Sequence, residues 1–111
     1  MSKLKLKPEM IKWKVEIQPE DRSPKDEFDD ERDVAAALKA WKEDDYWGWG
    51  VVKVTGEFMG LTESAFMGGC TYRDEEQFIR DGYSDMQSDV MYGLQEQIEA
   101  IADLWESIRH N

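Results

Sequence analysis

The residue types that do chemistry in proteins are unevenly represented in this chain: one cysteine, one histidine and 25 carboxylates. The histidine, His110, stands beside the final residue of the sequence, where a general base is poorly held. Cys70 has no histidine near it in sequence to accept its proton, and one cysteine with one histidine does not make a zinc site. No G-x-x-x-x-G-K-[ST] phosphate loop, dinucleotide fingerprint or G-x-S-x-G turn occurs. Asp26, Asp29, Asp30 and Asp33 are dense enough to suggest a calcium loop. Their spacing departs from D-x-[DN]-x-[DN]-G, however, and the turn glycine and closing glutamate are missing. Paired carboxylates can hydrolyse glycosides, yet among so many acids a pair carries no information. The expectation is a protein that is not an enzyme and uses no metal or cofactor.

What the carboxylates do show is a pattern. Over the final segment, Tyr83 to Arg109, Asp85, Asp89, Tyr92, Glu96, Glu99, Asp103 and Glu106 recur at alternating spacings of four and three. Tyr83, Met86, Val90, Leu94, Ile98, Ile101, Trp105 and Ile108 recur on the other side, as the core stripe of an amphipathic helix would. The acidic row has no interleaved lysine, although an i,i+4 Glu–Lys pair would stabilise an exposed helix by a few tenths of a kcal/mol. From Asp85 to Glu106 the row would extend ~32 Å, with a charge every ~5–6 Å where Tyr92 does not interrupt. Duplex DNA carries a charge per ~1.7 Å of axis, so one row has roughly a third of its density. Imitating a duplex would take a second row. Candidates are the acidic loop that includes Asp29 and Asp30, the Glu43-Asp44-Asp45 and Asp74-Glu75-Glu76 clusters, or a second protomer.

The elements that must position this row are legible in order. Ile11-Lys12-Trp13-Lys14-Val15-Glu16-Ile17 alternates strictly, which predicts a half-buried strand ended by Pro19. Leu4 and Leu6 also alternate, but Pro8 interrupts, so residues 1–9 read as an edge extension or a mobile basic arm. A polar, proline-containing loop follows. Asp30 then caps a helix over residues 31–43, with Val34, Leu38 and Trp41 on its expected buried side and an acidic ending that opposes the helix dipole. Tyr46 to Phe58 and Leu61 to Tyr72 are β-rich runs around the Met59-Gly60 turn, which predicts a hairpin. Its many glycines point to bulges or to close approach of a ring or helix. Tyr46, Trp47 and Trp49 are either core aromatics or an exposed platform for a partner. Arg73 to Asp81 reads as a short helical turn carrying Phe78 and Ile79 inward. Gly93, inside the final helix, costs about 1 kcal/mol relative to alanine and calls for close approach to the sheet. The fold class is α+β: about three antiparallel strands, a helix between the first and second, and the long final helix packed on one face, in a single domain spanning residues 1–111.

The chain's 111 residues carry a formal net charge of −11, which repels nucleic acid and anionic membranes and attracts basic proteins. Residues 1–14 run against this balance, with five lysines and one glutamate. Those lysines either flank the solvent face of the first strand or attract an acidic segment of this chain or of another copy. No apolar run approaches the ~18 residues of a membrane span. The start lacks the apolar stretch of a secretory signal, and a lone cysteine suits a reducing cytoplasm.

The succession Trp47-Gly48-Trp49-Gly50-Val51-Val52-Lys53-Val54, then Gly68 to Tyr72, then Asp74-Glu75-Glu76 with Phe78 and an acidic final helix, resembles small proteins carried by bacteriophages and plasmids. The resemblance spans roughly residues 46–100 and is one of composition and order. That class includes inhibitors of restriction and CRISPR systems, some of which imitate nucleic acid; no site residues transfer from it. It implies a non-enzymatic inhibitor in a bacterial cytoplasm that covers the basic nucleic-acid-binding surface of a defence complex. A second expectation is an adaptor that holds a protein partner through Tyr46, Trp47 and Trp49. A third is a homodimer in which the basic N-terminal arm of one copy meets the acidic helix of the other.

Overall fold

A computed structural model describes residues 4–109. Strand β1 (Lys12–Pro19) is followed by helix α1 (Glu31–Lys42), the hairpin of β2 (Gly50–Phe58) and β3 (Leu61–Cys70), a short helix α2 (Glu75–Asp81) and the long helix α3 (Tyr83–Arg109). The sheet is antiparallel with order β1-β2-β3. This is the α+β arrangement expected from the hydrophobic patterns.

Register explains which face is buried. Trp13 lies opposite Gly56, Val15 opposite Val54 and Ile17 opposite Val52; β3 sets Met67 and Ala65 opposite the same two valines. Val52 and Val54 are fully buried beneath α3, whose Met86, Val90 and Leu94 close the core. Gly56 is where the helix comes nearest: a Cβ there would lie 2.7 Å from Val90 Cγ1 and 3.2 Å from the Trp13 ring. The hairpin turns through Met59 and Gly60, both with positive φ (49° and 83°), as a two-residue turn between right-twisted strands requires. At the junction of α2 and α3, Phe78 is fully buried against Trp47, Tyr72 and Tyr83, with ring centroids 5.4–5.9 Å apart.

Four expectations are corrected, the first on α2, where Phe78 turns inward as expected but Ile79, one position on, stays exposed. Helix α1 buries Ala37 and Ala40 rather than Val34, Leu38 and Trp41, because it packs on the Trp49 ring and Phe28 in a second, smaller core. That approach is so close that a Cβ on Gly48 would sit 2.6 Å from Ala40 Cβ, so only small residues fit the contact. The N-terminal segment is neither an edge strand nor a loose arm within the described residues. Gln95 of α3 grips it at both ends: its Nε2 donates to the Leu4 carbonyl (2.8 Å), and its Oε1 accepts from the Leu6 N–H (3.1 Å). Leu6 is thereby buried in the main core.

The largest correction concerns α3. Its apolar stripe belongs to the core only as far as Ile98. Beyond that point Ile101, Trp105 and Ile108 are 42%, 62% and 56% exposed, and Leu104, on the same side, is 60% exposed. The cause is length. A helix of 27 residues extends ~40 Å, while strands of 8 to 10 residues reach only ~27–34 Å. Helix α3 leaves the sheet at the hairpin end, where Gln97 Nε2 donates to the Thr62 carbonyl and to Glu63 Oε2, each at 2.9 Å. The last turns project as a rod, and the molecule measures 62 × 25 × 21 Å.

Candidate functional site

The carboxylate row lies on the face of α3 turned away from the sheet. Asp85, Asp89, Glu96 and Asp103 are exposed, and Glu99 and Glu106 are half-buried. Among the described residues no lysine or arginine comes within ion-pair distance of Asp85, Asp89, Glu96, Glu99 or Asp103. Tyr92 interrupts the row without breaking its chemistry. The Glu96 carboxylate beside its phenol raises the tyrosine pKa, by favouring the protonated hydroxyl as a hydrogen-bond donor and by its charge, with the charge of Glu99 adding to the effect. At the N-terminal end of the row, Asp81 and Asp85 both face the Tyr72 hydroxyl, so the α2–α3 corner extends the negative surface. Among the described residues Lys5, on the clasped N-terminal segment, shares a shallow hollow with Glu99. The arm thus meets the acidic helix of its own chain.

Three of the eight acids in the secondary clusters hold local structure together. Asp30 caps α1, its Oδ1 accepting from the Arg32 N–H at 2.8 Å while Oδ2 pairs with the Arg32 guanidinium. Asp74 caps α2 through the Gln77 N–H (2.9 Å), and Asp45 accepts from the Gly48 N–H (3.2 Å). Asp29, Glu43, Asp44, Glu75 and Glu76 are exposed. Asp29, Glu43, Asp44 and Asp45 surround α1, at the end of the sheet opposite the α3 overhang, so they do not double the C-terminal half of the row. Asp74, Glu75 and Glu76 begin α2, which packs against α3 at the row's N-terminal end.

The aromatic platform does not form. Trp49 is 1% exposed; its indole N–H donates to the Arg22 carbonyl at 2.8 Å, and its ring covers Gly69. Trp47 packs against Phe78, and Tyr46 is half-buried. Trp49 fills the region between α1 and the sheet, while Trp47 belongs to the main core beside α2.

Other chemistry is sparse. Cys70 is buried and donates to the Met67 carbonyl (3.0 Å); burial pushes its thiol pKa up, away from the reactive thiolate. His110 lies outside the described residues. Among the described residues no three His, Cys, Asp or Glu side chains gather to hold a metal ion, and no helix is long and apolar enough to cross a membrane. An open hollow of about 580 Å³ lies between α1 and α2, with Asp33, Asp45, Arg73 and Gln77 on its polar side.

Three features went unread in the sequence. Glu20, part of the acidic loop, is 7% exposed and accepts from both the Gly69 N–H (3.1 Å) and Arg22 Nε (2.8 Å). The Gly68-Gly69 pair was the available signal, since side chains there would crowd Glu20 and Arg22. Phe66, 61% exposed on the open face of the sheet, carries the Lys53 ammonium 5.5 Å above its ring. Leu104 completes the exposed stripe on the overhang. Compared with family models, with curated proteins and with solved structures, the chain matches none of them.

Proposed function

We propose that this protein is a non-enzymatic inhibitor that lays the carboxylate face of α3 against the basic nucleic-acid-binding surface of a DNA-handling defence enzyme, of CRISPR or restriction type. The observation that carries this reading is that, among the described residues, no cation lies within ion-pair distance of five carboxylates on that face, along a helix whose other side is clamped to the sheet as far as Ile98. Charges left uncompensated within a chain are compensated by solvent or by a partner. Those five carboxylates span Asp85 to Asp103, ~27 Å of helix, and a preformed helix presents them to a basic groove without the cost of folding a segment on binding. The density of the row is that of a partial imitation. The row would block the groove by occupying a strip of it, with Asp81 and the start of α2 widening the contact at one end.

The test is DNA cleavage by a guide-loaded CRISPR nuclease and by a restriction endonuclease, with the protein added at low and at high salt. Inhibition that competes with DNA and weakens with salt is expected. The triple charge reversal Glu96→Lys, Glu99→Lys, Asp103→Lys should raise the half-inhibitory concentration at least about tenfold, through loss of steering and of ion pairs at the interface. Undiminished inhibition by that variant would refute the acidic face as the binding surface.

A further inference from the structure

Four large apolar side chains, Ile101, Leu104, Trp105 and Ile108, stand 42–62% exposed on one side of a helical rod that none of the described residues covers. Together they expose on the order of 450 Å², at the size where an apolar patch on a monomer marks an interaction surface. We infer that this patch is covered by a second copy of the same chain, the two overhangs packing antiparallel about a two-fold axis between Leu104 and Trp105. This inference is independent of the role proposed for the acidic face.

Three observations select a second copy over an unrelated partner. The stripe reads the same in both directions: its spacings are three, one and three residues. An antiparallel pair centred between 104 and 105 therefore sets Ile101 opposite Ile108 and Leu104 opposite Trp105, twice over, which is the self-complementarity an isologous contact requires. Charge is segregated to suit. At ~100° per residue, Asp103 and Glu106 fall on the side of the helix away from this stripe, so pairing brings neither carboxylate to its centre. Finally, the area fits. Two such patches bury at most roughly 900 Å² of apolar surface, below the ~1,200 Å² of a standard interface and in the range of weak, reversible association. The last turns of α3 project beyond the hairpin end, so the sheets stay apart when the overhangs meet.

The two chains carry like charge, −11 each, so salt must strengthen the pair by screening their repulsion. An acidic-helix contact with a basic segment would weaken instead. Sedimentation equilibrium of the full chain from about 1 to about 200 µM, at about 50 and about 500 mM NaCl, should show a monomer–dimer equilibrium that tightens at high salt. Trp105→Glu and Leu104→Lys should each weaken it at least about thirty-fold, the effect of losing an interface anchor. Both positions are exposed, so the circular dichroism of the variants as monomers should be that of the parent. Mixing the two variants should restore a mixed dimer with one copy of each. The antiparallel pairing sets the introduced glutamate of one chain against the introduced lysine of the other, while the second Leu104–Trp105 contact survives. A parent that remains monomeric at the highest concentration and salt, a dimer that weakens with salt, a Trp105→Glu variant that still dimerises, or a mixture that stays monomeric would each overturn the inference.

Discussion

Gly93 sits in the middle of α3, and the structure specifies how its replacement should behave. A Cβ built there would lie 2.5 Å from Glu63 Cδ, 2.6 Å from Cγ and 2.7 Å from Oε2, so Gly93→Ala has to move the Glu63 side chain. That movement breaks the 2.9 Å bond from Gln97 Nε2 to Glu63 Oε2. The loss is about 0.5–1.5 kcal/mol for one part-buried hydrogen bond. Against it stands the gain in helix propensity of about 1 kcal/mol for Gly to Ala. The two nearly cancel, so Gly93→Ala alone should leave stability unchanged to within about 0.5 kcal/mol. In a Glu63→Ala background the obstruction is gone, while Gln97 keeps its bond to the Thr62 carbonyl. There the same substitution should stabilise by the full ~1 kcal/mol, which is about 4 °C in Tm for a chain of this size. Urea unfolding of the four proteins of this double-mutant cycle measures the coupling, expected near ~1 kcal/mol. If Gly93→Ala stabilised equally in both backgrounds, Glu63 would not be the reason for the glycine.

The core gives further expectations. Gly56→Ala drives a methyl group into Val90 and Ile11 and should destabilise by about 1–3 kcal/mol, less than additively with Val90→Ala, by chemical denaturation. Glu20→Ala leaves the Gly69 N–H without its acceptor and should cost about 1–3 kcal/mol; Glu20→Gln, which keeps an acceptor oxygen, should recover most of it. Alkaline pH should destabilise the fold. Burial raises the pKa of Cys70 above its ordinary 9.0 and those of Tyr72 and Tyr83 above 10.0, so the folded state holds these protons more tightly than the unfolded chain. Their contribution is complete below about pH 9 and is lost as pH rises through the folded values. The urea midpoint should therefore fall as pH rises above about 9, and Tyr72→Phe should flatten that fall.

The limits of α3 were legible because its two periodicities run unbroken from Tyr83 to Ile108. How much of it would be buried was not, because an amphipathic pattern describes the helix and says nothing about how far the sheet beneath it extends. The strands stop under Ile98, and the same repeat that marks Val90 as core marks Trp105 as exposed surface. Helix α1 misled in a related way: its largest side chains suggested the packing face, but the bulk of Trp49 selects the alanines. Glu20 was hidden for a different reason. Nothing in Pro19-Glu20-Asp21-Arg22 distinguishes it from a solvated loop, and its backbone partner lies 49 residues away. The acidic face was visible as a spacing, whereas the capping duties of Asp30 and Asp74 limit how many of the remaining acids are free for a partner.

The grip of Gln95 on Leu4 and Leu6 also has a consequence for how the protein is made. The two hydrogen bonds join residues 89 and 91 positions apart, and Leu6 completes the core only when α3 is in place. At ~5–20 residues per second of synthesis, the first segment waits roughly 5–18 s before its partner has been added to the chain. During that interval β1 and the hairpin have only each other, with Val52, Val54 and Ile17 uncovered. A ribosome stalled before residue 95 would hold a nascent chain with an open apolar sheet, a natural substrate for chaperones.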